Sequence, residues 1–357
     1  MLQGRLANPD CTLGTDPRSD PRMVAALAPF GLADNVPLPP LTADSPLDHR
    51  LAHVAETEEL LVTFLNAMAQ AAPLADGVTT ENITIAGVDG NDIMLYISRP
   101  SSATSTLPCI VHTHGGGMAF GSATDLGYVR WRDNLAATGL VVVGVEFRNS
   151  AGKLGPHRYP AGLNDCASGV RWAAEHLSDL GVSHIVVSGE SGGGHLTLAV
   201  AHKAKREGWL DQIAGFYAQC PFISNRYVDP PDELPSLREH DGYIFSLPDL
   251  AVAASIYDPD DEHAGDPACW PGYASEADLA GLPPHVISVN ELDPLRDDGV
   301  VYYRRLVRAG VPTVGRNVLG TCHAGDMICA GAMPDVYTAS LRDVSGFAKS
   351  LSPSGHL

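Results

Sequence analysis

Positive charge is scarce in this chain of 357 residues. Lysine and arginine together number 23 against 42 aspartates and glutamates, a net charge of −19. Such a surface repels phosphate backbones and anionic lipid, so nucleic-acid and membrane-surface binding are poor readings. No uncharged apolar run is long enough to span a bilayer, and the opening "MLQGRLANPDCTLGTDPRSDPR" has neither the apolar core nor the cleavage pattern of a signal peptide. A soluble cytoplasmic protein is expected. The seven cysteines form no C-x-x-C pair, several sit inside apolar runs, and they read as small core residues. Internal repeats and low-complexity tracts are absent too.

What is present is alternation. After a Pro-, Ala- and Asp-rich start, "LDHRLAHVAETEELLVTFLNAMAQ" spaces Leu47, Leu51, Val54, Leu61 and Leu65 at helical intervals. Then "ENITIAGVDGNDIMLYISRP" reads as a β-hairpin turning at "VDGND". The runs "CIVHT", "LVVVGVEF", "HIVVSGE", "IAGFYAQC" and "HVISVNE" have the unbroken hydrophobicity of strands covered on both faces, and helical patterns separate them. One of these, "PAGLNDCASGVRWAAEHLSDLG", sets Cys166, Val170, Ala173 and Leu177 on one stripe and stops at Gly181. The pattern predicts an α/β fold with a mostly parallel eight-stranded sheet and helices on both faces. Roughly sixty residues between "YAQCPFIS" and "LPPHVISVN" are too many for a simple loop. The expected organisation is an N-terminal helical part of a cap at 1–80, core at 81–220, a cap insertion at 221–280, and core again at 281–357.

The sharpest motif is "VVSGESGGGH": a strand, then G-x-S-x-G, then a helical run. Glycine at 189 and 193 lets strand and helix approach closely, while Ser191 is held exposed on a strained turn, as a nucleophile elbow requires. A serine hydroxyl needs a base and the base an orienting carboxylate, which on such a sheet follow in the order Ser, acid, His. "ELDPLRDDG" offers Glu291, Asp293, Asp297 and Asp298. Asp293 stands just before Pro294, where the chain leaves a strand. Asp297 and Asp298 fall where the first turn of a helix favours carboxylates anyway, so Asp293 is the better acid. The strand-like "TVGRNVLGTCHAGD" delivers His323 to the same sheet end.

A further signal is "PCIVHTHGGGMAFG", where a buried strand ends in three glycines. Gly115, Gly116 and Gly117 allow backbone N–H groups to approach a substrate unobstructed. The N–H groups of Gly116, Gly117 and Gly192 are the expected oxyanion donors, with His114 and Gly115 supporting the loop. His112 and His114 make a His-x-His pair on one strand face, but no further ligand-like cluster follows, and no metal or cofactor is expected. Phe222, Tyr227, Tyr243, Phe245 and Trp270 are aromatic candidates for lining a substrate pocket or for the insertion's own small core.

With "HTHGGGM", "SGESGGG", "NELDPLRD" and "GTCHAGD" in this order, the chain resembles the hormone-sensitive-lipase-like family of α/β-hydrolase esterases over nearly its whole length. The resemblance implies a serine carboxylesterase acting on small-molecule esters through an acyl-enzyme, with Ser191, Asp293 and His323 as triad, no cofactor, a helical cap and a homodimer. Three positions depart from the family pattern: Gly192 stands where alanine is usual, Ala324 where glycine is common, and His195 where a polar amide is expected. An amidase or lactonase with the same triad remains a rival reading. So does a non-catalytic ligand receptor on the same fold, although such receptors lose the base and this chain keeps all three groups.

Overall fold

In a computed structural model, which describes residues 3–352, the chain forms a sheet of eight strands. They are β1 (Val78–Ala86), β2 (Asp92–Pro100), β3 (Leu107–Thr113), β4 (Val141–Val145), β5 (Val182–Glu190), β6 (Gly215–Gln219), β7 (His285–Leu292) and β8 (Thr313–Cys322), in spatial order β1-β2-β4-β3-β5-β6-β7-β8. β1 and β2 form the hairpin expected at "VDGND", with Gly90 in the left-handed region (φ 79°) and Gly87 N–H bonded to Asn91 O at 2.7 Å. β2 runs antiparallel to β4, and the strands from β4 to β8 are all parallel.

The unbroken apolar runs behave as their composition requires. β4 and β6 are buried at every position, because helices cover both faces. On one face, Val111, Val143, Val187 and Phe216 pack against Cys166, Val170, Leu196 and Tyr302 of the helices Ala161–Glu175, Gly192–Glu207 and Arg296–Arg308. On the other, Ile110, Val142, Val186 and Tyr217 meet Trp131, Leu135, Tyr337 and Val344 of Leu126–Ala137 and Pro334–Ser350. Neighbours along each strand thus go to opposite layers, the period of two of a pleated strand.

Strand order reverses at β3, since the chain runs from β3 to β4 on one side and then to β5 on the other. Open α/β sheets present a crevice beyond the strand ends at such a switch point. Here the glycine loop leaves β3 and Ser191 leaves β5 side by side. The N-terminal residues and the long β6–β7 connection pack over this same edge. Leu13, Met23, Leu27 and Phe64 meet Tyr243 from the connection and Leu292 and Cys322 at the ends of β7 and β8.

The N-terminal helix Leu47–Gln70 corrects one detail of its sequence pattern. Of the five residues at helical spacing, Val54 alone is buried, and Leu47 is 42% exposed. The buried face instead runs through Val54, Glu58, Phe64 and Ala69. A glutamate lies in the middle of it, which a purely hydrophobic periodicity cannot mark.

The contact of the β5 turn with β3 leaves no room for side chains. A Cβ on Gly193 would lie 1.9 Å from Thr113 O, and one on Gly189 would lie 2.4 Å from the same oxygen. Gly193→Ala is therefore expected to cost at least about 3 kcal/mol, beyond ordinary overpacking, and to lower the thermal midpoint. Gly346→Ala, on an exposed helical position with open space around it, is expected to raise stability by about 0.5–1 kcal/mol in the same melts.

Candidate active site

Ser191 has φ 56° and ψ −118°, a conformation costly for a residue with a Cβ. Ser191 N–H donates to Gln219 O at 2.9 Å, and its carbonyl accepts from His195 N–H at 2.9 Å and Phe222 N–H at 3.2 Å. The strained turn is thus pinned to the end of β6 on one side and to its own helix on the other.

Asp293 directly follows β7 and His323 directly follows β8, and the two meet at the sheet edge. Asp293 Oδ2 lies 2.8 Å from His323 Nδ1, while Oδ1 accepts from Leu295 N–H at 2.9 Å. Both side chains are buried, the carboxylate fully. Asn290 braces the histidine's flanks: its amide donates to Thr321 Oγ1 at 2.7 Å and to Asp326 Oδ1 at 2.9 Å, and its oxygen accepts from Ala324 N–H. Cys220 joins this pair. Its sulfur lies, with donor atoms of Asp293 and His323, inside a 4.8 Å cluster. Cysteine, aspartate and histidine are metal-ligating types. Here, however, burial, reinforced by Asp293 and Asp326, pushes the thiol well above its usual range, and the imidazole occupies the Asp293 oxygen. The trio is better suited to holding a histidine than a cation.

The glycine loop lies against the serine turn. Gly116 (φ 109°), Gly117 (φ 61°) and Met118 (φ 58°) are all left-handed, and the N–H groups of Gly116, Gly117 and Gly192 find no acceptor among the described residues. A Cβ on Gly192 would come within 2.6 Å of Gly117 N and 2.5 Å of Met118 N. A methyl group at 192 would therefore clash with the loop backbone, so glycine suits this position as the loop lies here. His114 Nδ1 lies 2.8 Å from Gly115 O, and its ring stacks on Phe147 at 4.1 Å. His112 faces Glu190, with Nε2 2.9 Å from Oε2, and the other Glu190 oxygen accepts Gly115 N–H at 2.9 Å. The His-x-His pair thus supports the loop, and Glu190, the unspecified residue of G-x-S-x-G, is the support that motif reading passed over.

The other two departures have local reasons. Ala324 sits at φ 52°, where glycine is at ease and alanine is strained by about 1 kcal/mol. His195 Nδ1 reaches Phe222 O at 2.7 Å, and burial pushes the ring down to about 4, so it is neutral. Of the five aromatic candidates, Phe222, Tyr227, Tyr243 and Trp270 are buried to 2% exposure or less and are core. Phe245 is the exception, its ring edge-on to His323 at 4.7 Å. An open depression of about 330 Å³ between Arg226, Tyr273, Arg305 and Arg308 shares no residue with this site.

The profile of the α/β-hydrolase fold family matches residues 110–326, from within β3 to just beyond His323. The chain belongs to that family. It is 33% identical to carboxylesterase NlhH of Mycobacterium tuberculosis over 234 residues, 63% of this chain and 69% of that one. Among solved structures it matches brefeldin A esterase, described as a bacterial homologue of human hormone sensitive lipase, at 44% identity, 97% of both chains and a TM-score of 0.93. It also matches esterase Est22 at 38% identity, 94% of this chain and 99% of that one, with a TM-score of 0.85. The chain is a carboxylic ester hydrolase of the hormone-sensitive-lipase-like kind.

The carboxylates of "DPLRDD" divide as three roles. Asp293 holds the histidine. Asp297 pairs with Arg296 at 2.9 Å and accepts Ser236 N–H at 2.8 Å. Asp298 is buried, and desolvation, helped by Asp297 and Asp293 against Ser224 and Arg226, pushes its carboxyl up to about 7 from 3.8. A raised carboxyl favours the folded chain fully below the unfolded value, near 4, and loses that advantage as pH rises through about 7. Asp298→Asn is accordingly expected to raise stability at pH 8 by at most about 4 kcal/mol, seen as a higher thermal midpoint, and to match wild type near pH 4. Equal midpoints at pH 8 would mean that the carboxyl carries no such penalty.

Proposed function

We propose that Ser191 is the nucleophile, His323 the general base and acid, and Asp293 the group that orients and stabilises the imidazole. The observation that carries this reading is the buried carboxylate on His323 Nδ1 at 2.8 Å, which leaves the opposite ring nitrogen free for a serine proton. Ser191 attacks the ester carbonyl as His323 takes its proton, and the same imidazole then protonates the departing alcohol. Water hydrolyses the acyl-enzyme by the reverse roles. The oxyanion formed in each step is received by the N–H groups of Gly116, Gly117 and Gly192, which have no competing acceptor among the described residues.

The N-terminal segment and the β6–β7 insertion act together as the cap. Short- to medium-chain esters are the proposed substrates, and small macrolactones fall within the same chemistry. Seven free, buried cysteines suit a reducing cytoplasm, and likeness to the family supports a homodimer.

Ser191→Ala is expected to lower hydrolysis of p-nitrophenyl esters, from acetate to laurate, by about 10⁴-fold or more. Full activity in the variant would remove the serine from the mechanism. The group that protonates the leaving alcohol must lie beside it, so Phe245, packed on His323, borders the alcohol side of the cleft. Phe245→Ala should improve turnover of esters of bulky alcohols relative to ethyl esters while leaving the acyl-chain profile unchanged. A change confined to the acyl profile would put Phe245 on the other side.

A further inference from the structure

The oxyanion loop is strained, and much of what holds it comes from outside its own strand. Gly116, Gly117, Met118 and Gly121 are all left-handed, so little in the local sequence favours one loop shape over another. Three carboxylates and a second loop supply the constraint. Glu190 takes Gly115 N–H, and Glu146 takes Ala123 N–H at 2.9 Å and the Ser122 hydroxyl at 2.7 Å. The segment 149–151 runs alongside: Ser150 N–H donates to Met118 O at 2.8 Å, Ala151 N–H to Ala119 O at 3.0 Å, and the Asn149 amide to Gly121 O at 2.7 Å.

The third carboxylate, Glu58, belongs to neither strand nor loop. It sits on the N-terminal helix Leu47–Gln70, 3% exposed, with Oε1 accepting Gly121 N–H at 3.0 Å and Oε2 accepting Lys153 N–H at 2.9 Å. One side chain therefore clips the oxyanion loop to the loop that flanks it. An apolar junction surrounds the clip, with Val54 of the same helix, Ala119, Ala151, and Val252 and Ile256 of the insertion helix Leu247–Tyr257. Ala253 of that second helix stands over Gly117, 3.8 Å from where a Cβ would be.

We infer that Glu58 is a positioning residue for the oxyanion donors, so that docking of the N-terminal helix and completion of the oxyanion hole are one event. The inference rests on the assignment of Gly116 and Gly117 as donors. Chemistry singles out a carboxylate here: two backbone N–H groups converge on it, and an amide can offer only one oxygen and would set its NH₂ against the second N–H. Because donors must meet the oxyanion position rather than the ground-state carbonyl, a loop displaced by a fraction of an ångström loses kcat before it loses substrate affinity.

The test uses Glu58→Gln in the full-length chain, assayed well below its thermal midpoint with p-nitrophenyl butyrate and with an aryl trifluoromethyl ketone. Attack of the Ser191 oxygen on that ketone opens its C=O π bond as the hydroxyl proton passes to His323, forming a hemiketal whose oxyanion occupies the hole; nothing leaves and no co-reactant is required. The expected result is a fall in kcat of about 10- to 100-fold, KM within threefold of wild type, and ketone affinity lowered by the same factor as kcat/KM. A lowered thermal midpoint with kcat and ketone affinity intact would mean a structural role alone and would overturn the inference, as would a change confined to KM. Should the glutamine variant not fold, Glu58→Asp, which keeps the charge on a shorter arm, is expected to show the same split more weakly. If neither folds, Glu58 is a folding residue and the proposal fails. Ser191→Ala tests the triad independently, so the two readings fail separately.

Discussion

The site depends on a backbone-to-backbone contact between β3 and the turn that follows β5. Thr113 carbonyl lies so close to Gly189 and Gly193 that no side chain fits at either place, and Thr113 Oγ1 donates to Gly193 O at 2.8 Å. Everything reactive is referred to this contact. It sets Ser191 at the head of a helix, and it sets the exit of β3 beside that serine, so the glycine loop begins a few ångströms from the turn. The parallel register then carries the ends of β7 and β8 to the same edge, where Asp293 and His323 meet. Glycine at 189 and 193 is thus a steric condition for the Ser191 turn and the glycine loop to be neighbours at all.

Around that contact the interior is polar in a particular way. Glu190, Glu58 and Asp293 are each at most 3% exposed, and each accepts at least one backbone N–H. Buried carboxylates without such donors would be costly. With them, they become fixed struts, since their acceptor sites are committed and their rotamers locked. The buried histidines complement this: burial pushes His195 and His285 down to about 4 and His202 to about 3, so they enter the core neutral, as hydrogen-bonding ring systems rather than as charges. His112 and His323 differ from these in facing buried carboxylates, Glu190 and Asp293, at 2.9 and 2.8 Å.

The sheet, the hairpin, the strained turn at Ser191 and the pairing of Asp293 with His323 were legible in the sequence because each rests on local information. Period-two or unbroken apolar runs mark strands, and G-x-S-x-G in a strand-turn-helix context marks an elbow. Acid and base follow at the ends of later strands. Glu58 was not legible, since a glutamate in an amphipathic helix reads as its solvent face, and its partners stand 63 and 95 residues away. Glu190 was hidden in the variable position of its motif, and Asn290 stood unremarked one residue before Glu291. The insertion aromatics were legible as a group but not individually, because facing His323 rather than the core depends on the turn before Phe245. There Ile244 holds φ 71°, an unusual conformation for a β-branched residue that no composition signal announces.

The same distinction applies to how the N-terminal segment engages the acid. Arg18 pairs with Asp16 and with Glu239, each at 2.7 Å, and Glu239 pairs with Arg296 at 3.0 Å. Burial would raise the Glu239 carboxyl, but His240, Arg296 and Arg18 outweigh it and hold it far below the usual range. His240 Nδ1 lies 3.2 Å from Asp293 O, so the network ends on the backbone of Asp293. Exposed ion pairs contribute at most about 1 kcal/mol, whereas breaking a largely buried one leaves an uncompensated charge and costs several. The N-terminal segment is therefore tied to the site at two independent points, through Glu58 to the oxyanion loop and through Arg18 to the Asp293 turn. A cap attached by apolar packing alone could slide on the sheet edge. One held by committed charges at both ends has a single register, and that register is the one in which the glycine loop, His323 and Asp293 lie together at the sheet edge.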